Sequence, residues 1–237
     1  MVRGTPSIHG RAFAVVGQGS SGNGQRGGGR SDRERRQAAI RRDAERASRE
    51  AARRERGLLW RMDSIRSGHL LLVQSSMPPD RGRLPDGYLA GEAQTRPIDG
   101  VLEAIIPGRS LMFRLTADPT RIVRAPDAPK EGRGRRVALH DPKEQLGRLA
   151  RKGEQCGFVV PAGADGGMAV TVSPCPPVVG YKDENGKRNK ITISPTRFDG
   201  RLVVTDARLF ADAVRTGIGR ARAYGCGLVS LAPVTAG

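Results

Sequence analysis

The sequence predicts an α+β fold, and three observations support that prediction. Short apolar or alternating runs that are typical of strands recur between residues 57 and 237. Two segments with clear helix-start signals interrupt these runs. From residue 137 onward the order is helix, strands, hairpin, strand, helix, glycine-rich loop and strand. This order is compatible with a ferredoxin-like α+β unit.

The chain before residue 57 offers little that could enter a core. Residues 7–16 could supply a short first helix, and residues 17–31 have the Gly/Ser/Gln composition of a flexible linker. Residues 32–56 are rich in Arg, Glu and Ala and contain no Pro or Gly, which favours helix. Ile40 is their only large apolar residue. We therefore expect a solvated helix or a disordered arm there.

The first half of the globular part has fewer predicted elements than the second. Strands are expected at residues 58–62, 69–74 and 110–117, and the proline-rich stretch 76–109 is expected to be mostly loop. No segment ahead of residue 7 has a strand pattern. The first unit is therefore expected to lack its N-terminal strand.

Capping and turn signals define the second half. Asp141 is a suitable N-cap for a helix to about residue 152, with Pro142 at its first position. Strands are expected at 158–160, 168–172 and 198–205, and Asp206 is expected to cap a helix that ends near Thr216. The Asn-Gly pair at 185–186 predicts a hairpin. Its basic residues could grip a nucleic-acid stem or simply belong to a solvated turn: Lys182, Lys187, Arg188 and Lys190.

The charge of the chain indicates a polyanionic partner. The 237 residues include 41 Lys and Arg against 24 Asp and Glu, a formal charge of +17, and only 4% are aromatic. Nucleic acid read through its phosphates is the first interpretation, and a charge that serves solubility is the alternative. No apolar run reaches the ~18 residues of a membrane span, so no membrane partner is expected. The three cysteines form no C-x-x-C motif, which fits a reducing cytoplasm.

The glycine-rich segment 217–228 is the most informative part of the sequence. It reads GIGRARAYGCGL and runs directly into an apolar strand. Glycine allows another backbone to approach closely, and arginine offers a planar fork suited to phosphate. We interpret the segment as a cradle for a sugar-phosphate chain. The residues concerned are Gly217, Gly219, Gly225, Gly227, Arg220 and Arg222.

Other chemical motifs are weak. The G-x-G-x-x-G run at 17–22 follows an apolar stretch, but a dinucleotide site needs a helix at its third glycine, and more Gly, Asn and Gln follow instead. We interpret the run as linker and expect no cofactor. The histidines are His9, His69 and His140, and neither they nor the cysteines stand at metal-ligand spacing. No metal site is expected.

Four blocks resemble the CasE family, the CRISPR-associated endoribonucleases of type I-E (Cascade) systems. Leu59-Trp60-Arg61, followed by residues 71–74, is similar to the family's central strands. Residues 113–120 resemble its F-R-L-x-A-N-P block, with Asp118 in place of Asn, and 198–202 resemble its F-[DE]-G-x-L strand. Residues 217–233 match its terminal G-I-G-x-x-[KR]-x-x-G-x-G-L-x-[ST]-L-A-P block, in which Arg222 occupies the basic position.

The resemblance implies two tandem ferredoxin-like (RRM-like) domains. We expect them at residues 1–125, with 17–56 as linker plus basic helical insert, and at residues 137–237. It also implies metal-independent cleavage of CRISPR precursor RNA at the repeat hairpin, without a small-molecule cofactor. The implied partners are the repeat RNA hairpin and the other Cascade subunits.

The resemblance further implies site residues. The family's general acid/base histidine lies in a segment like [NS]-P-x-x-x-H, and Thr5 to His9 is similar but one residue shorter, with Pro6 where some members have tyrosine. His9 is thus the expected catalytic residue. The expected RNA-binding residues are Arg11, Lys182, Lys187, Arg188, Lys190, Gly217, Gly219, Arg220, Arg222, Gly225 and Gly227.

Two alternatives stay open at this point. One is a catalytically impaired subunit of the same complex that binds the RNA hairpin without cutting it. The other is a generic basic nucleic-acid-binding protein in which the arginine-rich arm at 32–56 dominates.

Overall fold

The computed structural model contains, within its described part, two antiparallel sheets, two two-stranded ribbons and three α-helices, besides the helical residues 37 and 41. It describes residues 7–10, 37, 41, 57–66, 68–78, 80, 82, 84–85, 87, 89–124, 134–164, 166–184 and 187–234. No helix in these ranges is long and apolar enough to cross a membrane.

The first sheet has four strands in the order β2-β3-β1-β4. They are β1 (Ser7–Gly10), β2 (Leu59–Ile65), β3 (Gly68–Ser75) and β4 (Gln94–Pro97). Each neighbouring pair is antiparallel, and Ile8 of the central strand β1 lies opposite Gln74 on one side and Arg96 on the other. A short helix, α1 (Asp99–Glu103), follows β4.

The helix expected from residue 7 is wrong for residues 7–10, which form β1. This strand fills the central place that the sequence predicted to be empty. Local sequence favours neither state strongly over four residues, and pairing with β3 and β4 on both sides decides the conformation. Residues 11–16 lie outside the described ones. Gln37 and Arg41 are helical and exposed, in agreement with the helix expected for 32–56 at those two positions.

The second sheet has five strands. They are β5 (Ser110–Ala117), β8 (Phe158–Val159), β9 (Val170–Pro174), β12 (Thr196–Val204) and β13 (Val229–Pro233). The order is β13-β5-β12-β8, and β9 pairs with β12 beside β8. If β8 and β9, which both pair with β12, are counted together as the second strand of the second sheet, both sheets place their strands in the order fourth, first, third, second. This repeated arrangement agrees with the tandem ferredoxin-like prediction.

Strand β5 was assigned by sequence to the first domain, but it pairs with β12 and β13 of the second sheet. The physical reason is its alternation: Leu111, Phe113 and Leu115 are all buried in the core of the second half. The division into domains at residues 125 and 137 stays a prediction.

The ribbons project from the second half. In one, β10 (Val178–Glu184) pairs with β11 (Lys187–Ile193), and the register ends at Glu184 opposite Lys187, which confirms the hairpin predicted around 185–186. In the other, β6 (Thr120–Val123) pairs with β7 (Arg135–Ala138), two strands that were not expected from the sequence.

The core of the second half lies between its sheet and two helices, α2 (Pro142–Gln155) and α3 (Ala207–Thr216). Phe158 stands 6.2 Å from Phe113 and 5.1 Å from Phe210 between ring centroids. The predicted caps are confirmed: the Asp141 carboxylate accepts from Lys143 N at 3.0 Å, and that of Asp206 accepts from Leu209 N at 2.9 Å. Helix α3 ends at Thr216, immediately before the glycine-rich segment 217–228.

Candidate nucleic-acid interface

The glycine loop, residues 217–228, connects helix α3 to strand β13 and rests on the first sheet. A Cβ at Gly217 would lie 2.6 Å from Leu59 Cδ2, and one at Gly225 would lie 3.0 Å from the Trp60 ring. Both glycines are therefore explained by packing against β2. At Gly219 no atom lies within 4 Å of the place where a Cβ would stand. Of these three glycines, Gly219 is therefore the one that leaves room for another backbone.

Several backbone amides of the loop are already occupied by hydrogen bonds within the protein. Ile218 N donates to Gly227 O at 2.9 Å, and Gly227 N donates to Thr116 O at 2.8 Å. Tyr224 N and Cys226 N both donate to Ala221 O. These four groups hold the loop in shape, so they cannot also bind a phosphate without breaking it.

The two loop arginines have different partners. Arg220 Nε lies 3.4 Å from Asp118 Oδ2, and the Asp118 side chain is only 4% exposed. Arg222 Nε donates to the Gly219 carbonyl at 3.2 Å, and its side chain is exposed. Arg222 keeps its remaining guanidinium N–H groups beside the open position at Gly219.

A cleft of about 970 Å³ lies beside the loop, bounded by helix α2 and the β6–β7 ribbon. Eight basic side chains line it against two carboxylates, Asp118 and Glu144. The basic residues are Arg121, Arg136, Lys143, Arg148, Arg151, Lys152, Arg220 and Arg222. Such an excess of positive charge in a concave surface attracts a polyanion.

Four of these basic residues lie on helix α2, and none of them was among the RNA-binding residues expected from the sequence. Arg148 is three residues before Arg151 and four before Lys152, a spacing that places all three on one face of a helix. Leu149 and Gly153 are buried on the side that packs on the core. This spacing can be seen in the sequence, since the helix and its N-cap were predicted correctly.

A second concave surface, of about 850 Å³, lies on the face of the second sheet formed by β5, β12 and β13. Three of the four arginines that line it have carboxylate partners. Arg61 Nε lies 2.9 Å from Asp63 Oδ1, and Arg197 Nε lies 2.8 Å from Asp199 Oδ2. Arg114 donates to Asp199 at 2.5 Å, and this hydrogen bond raises the pKa of Arg114. Because three of its four arginines already have carboxylate partners, whereas the cleft beside the loop has eight basic side chains against two carboxylates, that cleft is the better polyanion site.

The β10–β11 ribbon carries one ordered aromatic–cation contact. The Arg188 guanidinium carbon lies 4.3 Å from the centre of the Tyr181 ring, and both side chains are exposed. Lys190 is exposed and lies opposite Tyr181 in the ladder. Lys182 and Lys187 occupy ladder positions nearer the turn.

Comparison with known proteins identifies the family. A family model described as CRISPR associated protein matches residues 33–233. The chain belongs to this family. It is 34% identical over 183 residues to the CRISPR-associated endoribonuclease Cse3 of Thermus thermophilus, covering 76% of this chain and 81% of that protein. It is 30% identical over 173 residues to the Cascade subunit CasE of Escherichia coli, covering 70% and 75%.

A solved structure is similar across nearly the whole chain. It is the T. thermophilus Cse3 structure with an RNA that represents a pre-cleavage complex, which has a TM-score of 0.64 at 26% identity and covers 97% of this chain and 100% of that one. The family match includes residues 33–56 of the arginine-rich stretch, which the sequence analysis treated as an insert. It starts after His9 and Arg11.

In this CRISPR-associated protein the predicted catalytic residue lies on a strand. His9 is in β1, with its backbone opposite Val73 of β3 and Thr95 of β4. Val73 in turn lies opposite Trp60 of β2, so His9 and Trp60 share a row, two strand spacings apart, about 10 Å. Arg11 lies outside the described residues.

The loop cysteine is structural. Cys226 is fully buried, and this burial, with Asp118 nearby as a smaller cause, raises the pKa of the thiol to about 12. Burial also raises the pKa of Cys156 and of Cys175. A thiol that stays protonated at neutral pH is a poor nucleophile. Within the described ranges no group of three or more His, Cys, Asp or Glu is arranged to hold a metal ion.

Proposed function

We propose that this protein is an endoribonuclease that binds the repeat hairpin of CRISPR precursor RNA and cleaves it to mature guide RNA as a subunit of Cascade. The observation that carries the proposal is the cleft beside the glycine loop, with eight basic side chains against two carboxylates. The relatives named as endoribonuclease Cse3 and Cascade subunit CasE support the activity and the assembly. The cysteine pattern supports a cytoplasmic location.

The proposed interface has two parts. The cleft holds one strand of the stem through its phosphates, with Arg148 and Arg151 of helix α2 and Arg222 of the loop as the main cations. The β10–β11 ribbon grips the stem with Arg188, Lys190, Lys182 and Lys187. Gly219 supports a close approach of the RNA backbone to the loop, since a Cβ there would meet nothing within 4 Å.

The reaction we propose is an internal transesterification of RNA. The ribose 2′-oxygen loses its proton and bonds to the adjacent phosphorus, the bond from phosphorus to the 5′-oxygen breaks, and that oxygen gains a proton. The products are a 2′,3′-cyclic phosphate and a 5′-hydroxyl. Arg222 neutralises the charge that develops on the phosphoryl oxygens.

His9 is the proposed proton-transfer residue. An imidazole with an ordinary pKa of about 6.5 can take the proton of the 2′-hydroxyl or give one to the departing 5′-oxygen. Its place on the central strand of the first sheet, in the same row as Trp60 and about 10 Å from it, supports a position near the RNA, because Trp60 packs against the glycine loop.

The test uses the purified full chain and an end-labelled repeat hairpin. His9→Ala is expected to slow single-turnover cleavage about 10²–10⁴-fold while the Kd for the hairpin stays within twofold. His69→Ala and His140→Ala, both exposed histidines, are the matched controls and should cleave normally. Normal cleavage by His9→Ala would remove His9 from the mechanism.

Two further measurements separate the alternatives. A 2′-deoxy substitution at the scissile nucleotide should abolish cleavage by an enzyme of this type, whereas a subunit that only binds RNA leaves both substrates intact. Deleting residues 18–56 should only lower the salt dependence of hairpin binding. Loss of all binding on that deletion would instead favour a generic nucleic-acid-binding protein whose arm dominates.

A further inference from the structure

One of the two loop arginines that line the cleft is paired with a buried carboxylate. Asp118 directly follows β5, and its side chain is 4% exposed. Its Oδ1 accepts from Ser194 N at 3.3 Å, and its Oδ2 lies 3.4 Å from Arg220 Nε. A buried carboxylate is costly unless charges or donors compensate it, so Asp118 holds Arg220 in place.

Neither Asp118 nor Arg220 is a residue type that the motifs quoted above specify at its position. Asp118 occupies the position where the F-R-L-x-A-N-P block has Asn, and Arg220 occupies an unconstrained position of the terminal loop block. Arg222, in contrast, occupies the position of that block that is Lys or Arg. The motif therefore specifies a basic residue at 222 and does not specify the Asp118–Arg220 pair.

The backbone between the two arginines explains their different directions. Ala221 has φ +59°, the one positive φ of a non-glycine residue among those described. Its carbonyl accepts from both Tyr224 N and Cys226 N, which closes the 3₁₀ turn Arg222–Tyr224. This left-handed turn lies between the two arginines. Arg220 forms its ion pair with Asp118, whereas Arg222 donates a hydrogen bond to the Gly219 carbonyl.

We propose that the Asp118–Arg220 ion pair is a tether that fixes the glycine loop, so that Arg220 is a positioning residue and Arg222 is the loop cation that meets RNA. The part that concerns RNA rests on the function proposed above. The tether itself is a property of the free protein and can be measured without RNA.

The first measurement follows the loop through Cys226, a fully buried residue of the loop itself. In a Cys156→Ser, Cys175→Ser background, reaction of the remaining thiol with a disulfide reagent at pH 8 requires the loop to open. Arg220→Gln and Asp118→Asn should each speed labelling about 5–30-fold, the ratio that one to two kcal/mol produces. The double variant should be no more than twofold faster than either single one, because both remove the same contact.

Matched variants keep this result interpretable. Arg215→Gln removes an exposed arginine from the end of α3 and should leave the labelling rate unchanged. Arg220→Lys, which keeps the charge, should restore most of the slow rate. Because Arg220 is on the surface, its variants are expected to fold, which circular dichroism checks. Labelling of Arg220→Gln within twofold of the parent would overturn the tether.

The second measurement is the salt dependence of hairpin binding. Arg222→Gln should reduce the slope of log K against log salt concentration by about 1, the signature of one lost phosphate contact. Arg220→Gln should weaken binding equally at every salt concentration and leave the slope unchanged. An equal reduction in slope by Arg220→Gln would make Arg220 a phosphate ligand and overturn its positioning role. If the parent binds no hairpin, the proposed function fails, and the labelling result alone decides on the tether.

Discussion

The two sheets share a strand order but differ in what stabilises them. The second sheet packs against α2 and α3 through a continuous cluster of buried aliphatic and aromatic side chains. Every member of that cluster lies between residues 105 and 229. The first sheet contributes Leu59 to the buried set, but its other buried contacts with the second half, among the described residues, are polar. The same topology can therefore be stabilised by an internal core or by docking onto a neighbour.

Arg61 is the main polar contact between the sheets. Its side chain is 3% exposed and reaches from β2 to β13. It donates to the Leu228 carbonyl at 3.3 Å and to Ser230 Oγ at 2.9 Å, and it pairs with Asp63. One guanidinium thus satisfies groups of both halves, which an apolar side chain could not do.

The largest expected effect is therefore at Arg61. Arg61→Met should lower the free energy of unfolding by about 3–5 kcal/mol, because it leaves a partly buried Asp63 with only its longer contact to Arg114, at 3.8 Å, and two acceptors of the second half without a donor. Urea denaturation measures it. Arg66→Met, at an exposed position in the turn after β2, is the control and should change stability little. A loss below about 1 kcal/mol at Arg61 would mean that docking does not depend on this contact.

The next prediction separates the two roles of glycine in the loop. Gly225→Ala should destabilise by about 2–4 kcal/mol, because the added methyl meets the Trp60 ring and the residue has φ +81°. Gly219→Ala should cost only the backbone preference, about 1–2 kcal/mol, since its φ is +87° but no atom is near. Thermal unfolding of both variants measures the difference. Equal losses would show that the loop does not rest on the first sheet as described.

The smallest expected effect is at Gln74. Its side-chain amide donates to Val214 O at 2.9 Å and to Arg215 O at 3.3 Å, two of the last carbonyls of helix α3. Gln74→Leu should cost about 1–2 kcal/mol, because those carbonyls lose a donor in a buried place. Gln94→Leu, on the exposed edge strand β4, provides the control for the loss of an amide. An unchanged midpoint for Gln74→Leu would contradict the assignment of a cap across the two halves.

The parts of the fold that could be predicted are those decided by local chemistry. Asp141 and Asp206 cap their helices, and the hairpin turns at 185–186, because caps and tight turns depend on a few adjacent residues. The sheet to which β5 belongs could not be predicted, since its pairing with β12 and β13 joins residues more than 75 positions apart. The strand at Ser7–Gly10 was missed for the same reason.

The candidate site divides in the same way. The glycine loop and its arginines were found from composition and from the resemblance, and the basic ribbon from its turn signal. The ion pair of Asp118 with Arg220 was not found, because the two residues are distant in sequence and meet only after the second sheet has formed. The packing role of Gly217 and Gly225 was also hidden, since it depends on Leu59 and Trp60 of the other sheet.

The contact between Gly225 and the Trp60 ring has a practical consequence. The chain contains a single tryptophan. The tryptophan fluorescence of the protein therefore arises from one indole, at the contact between the glycine loop and β2. Emission wavelength and acrylamide quenching then report whether the loop is in contact with Trp60, without any attached dye. A titration with RNA followed by this fluorescence would report loop movement and ligand occupancy in the same experiment.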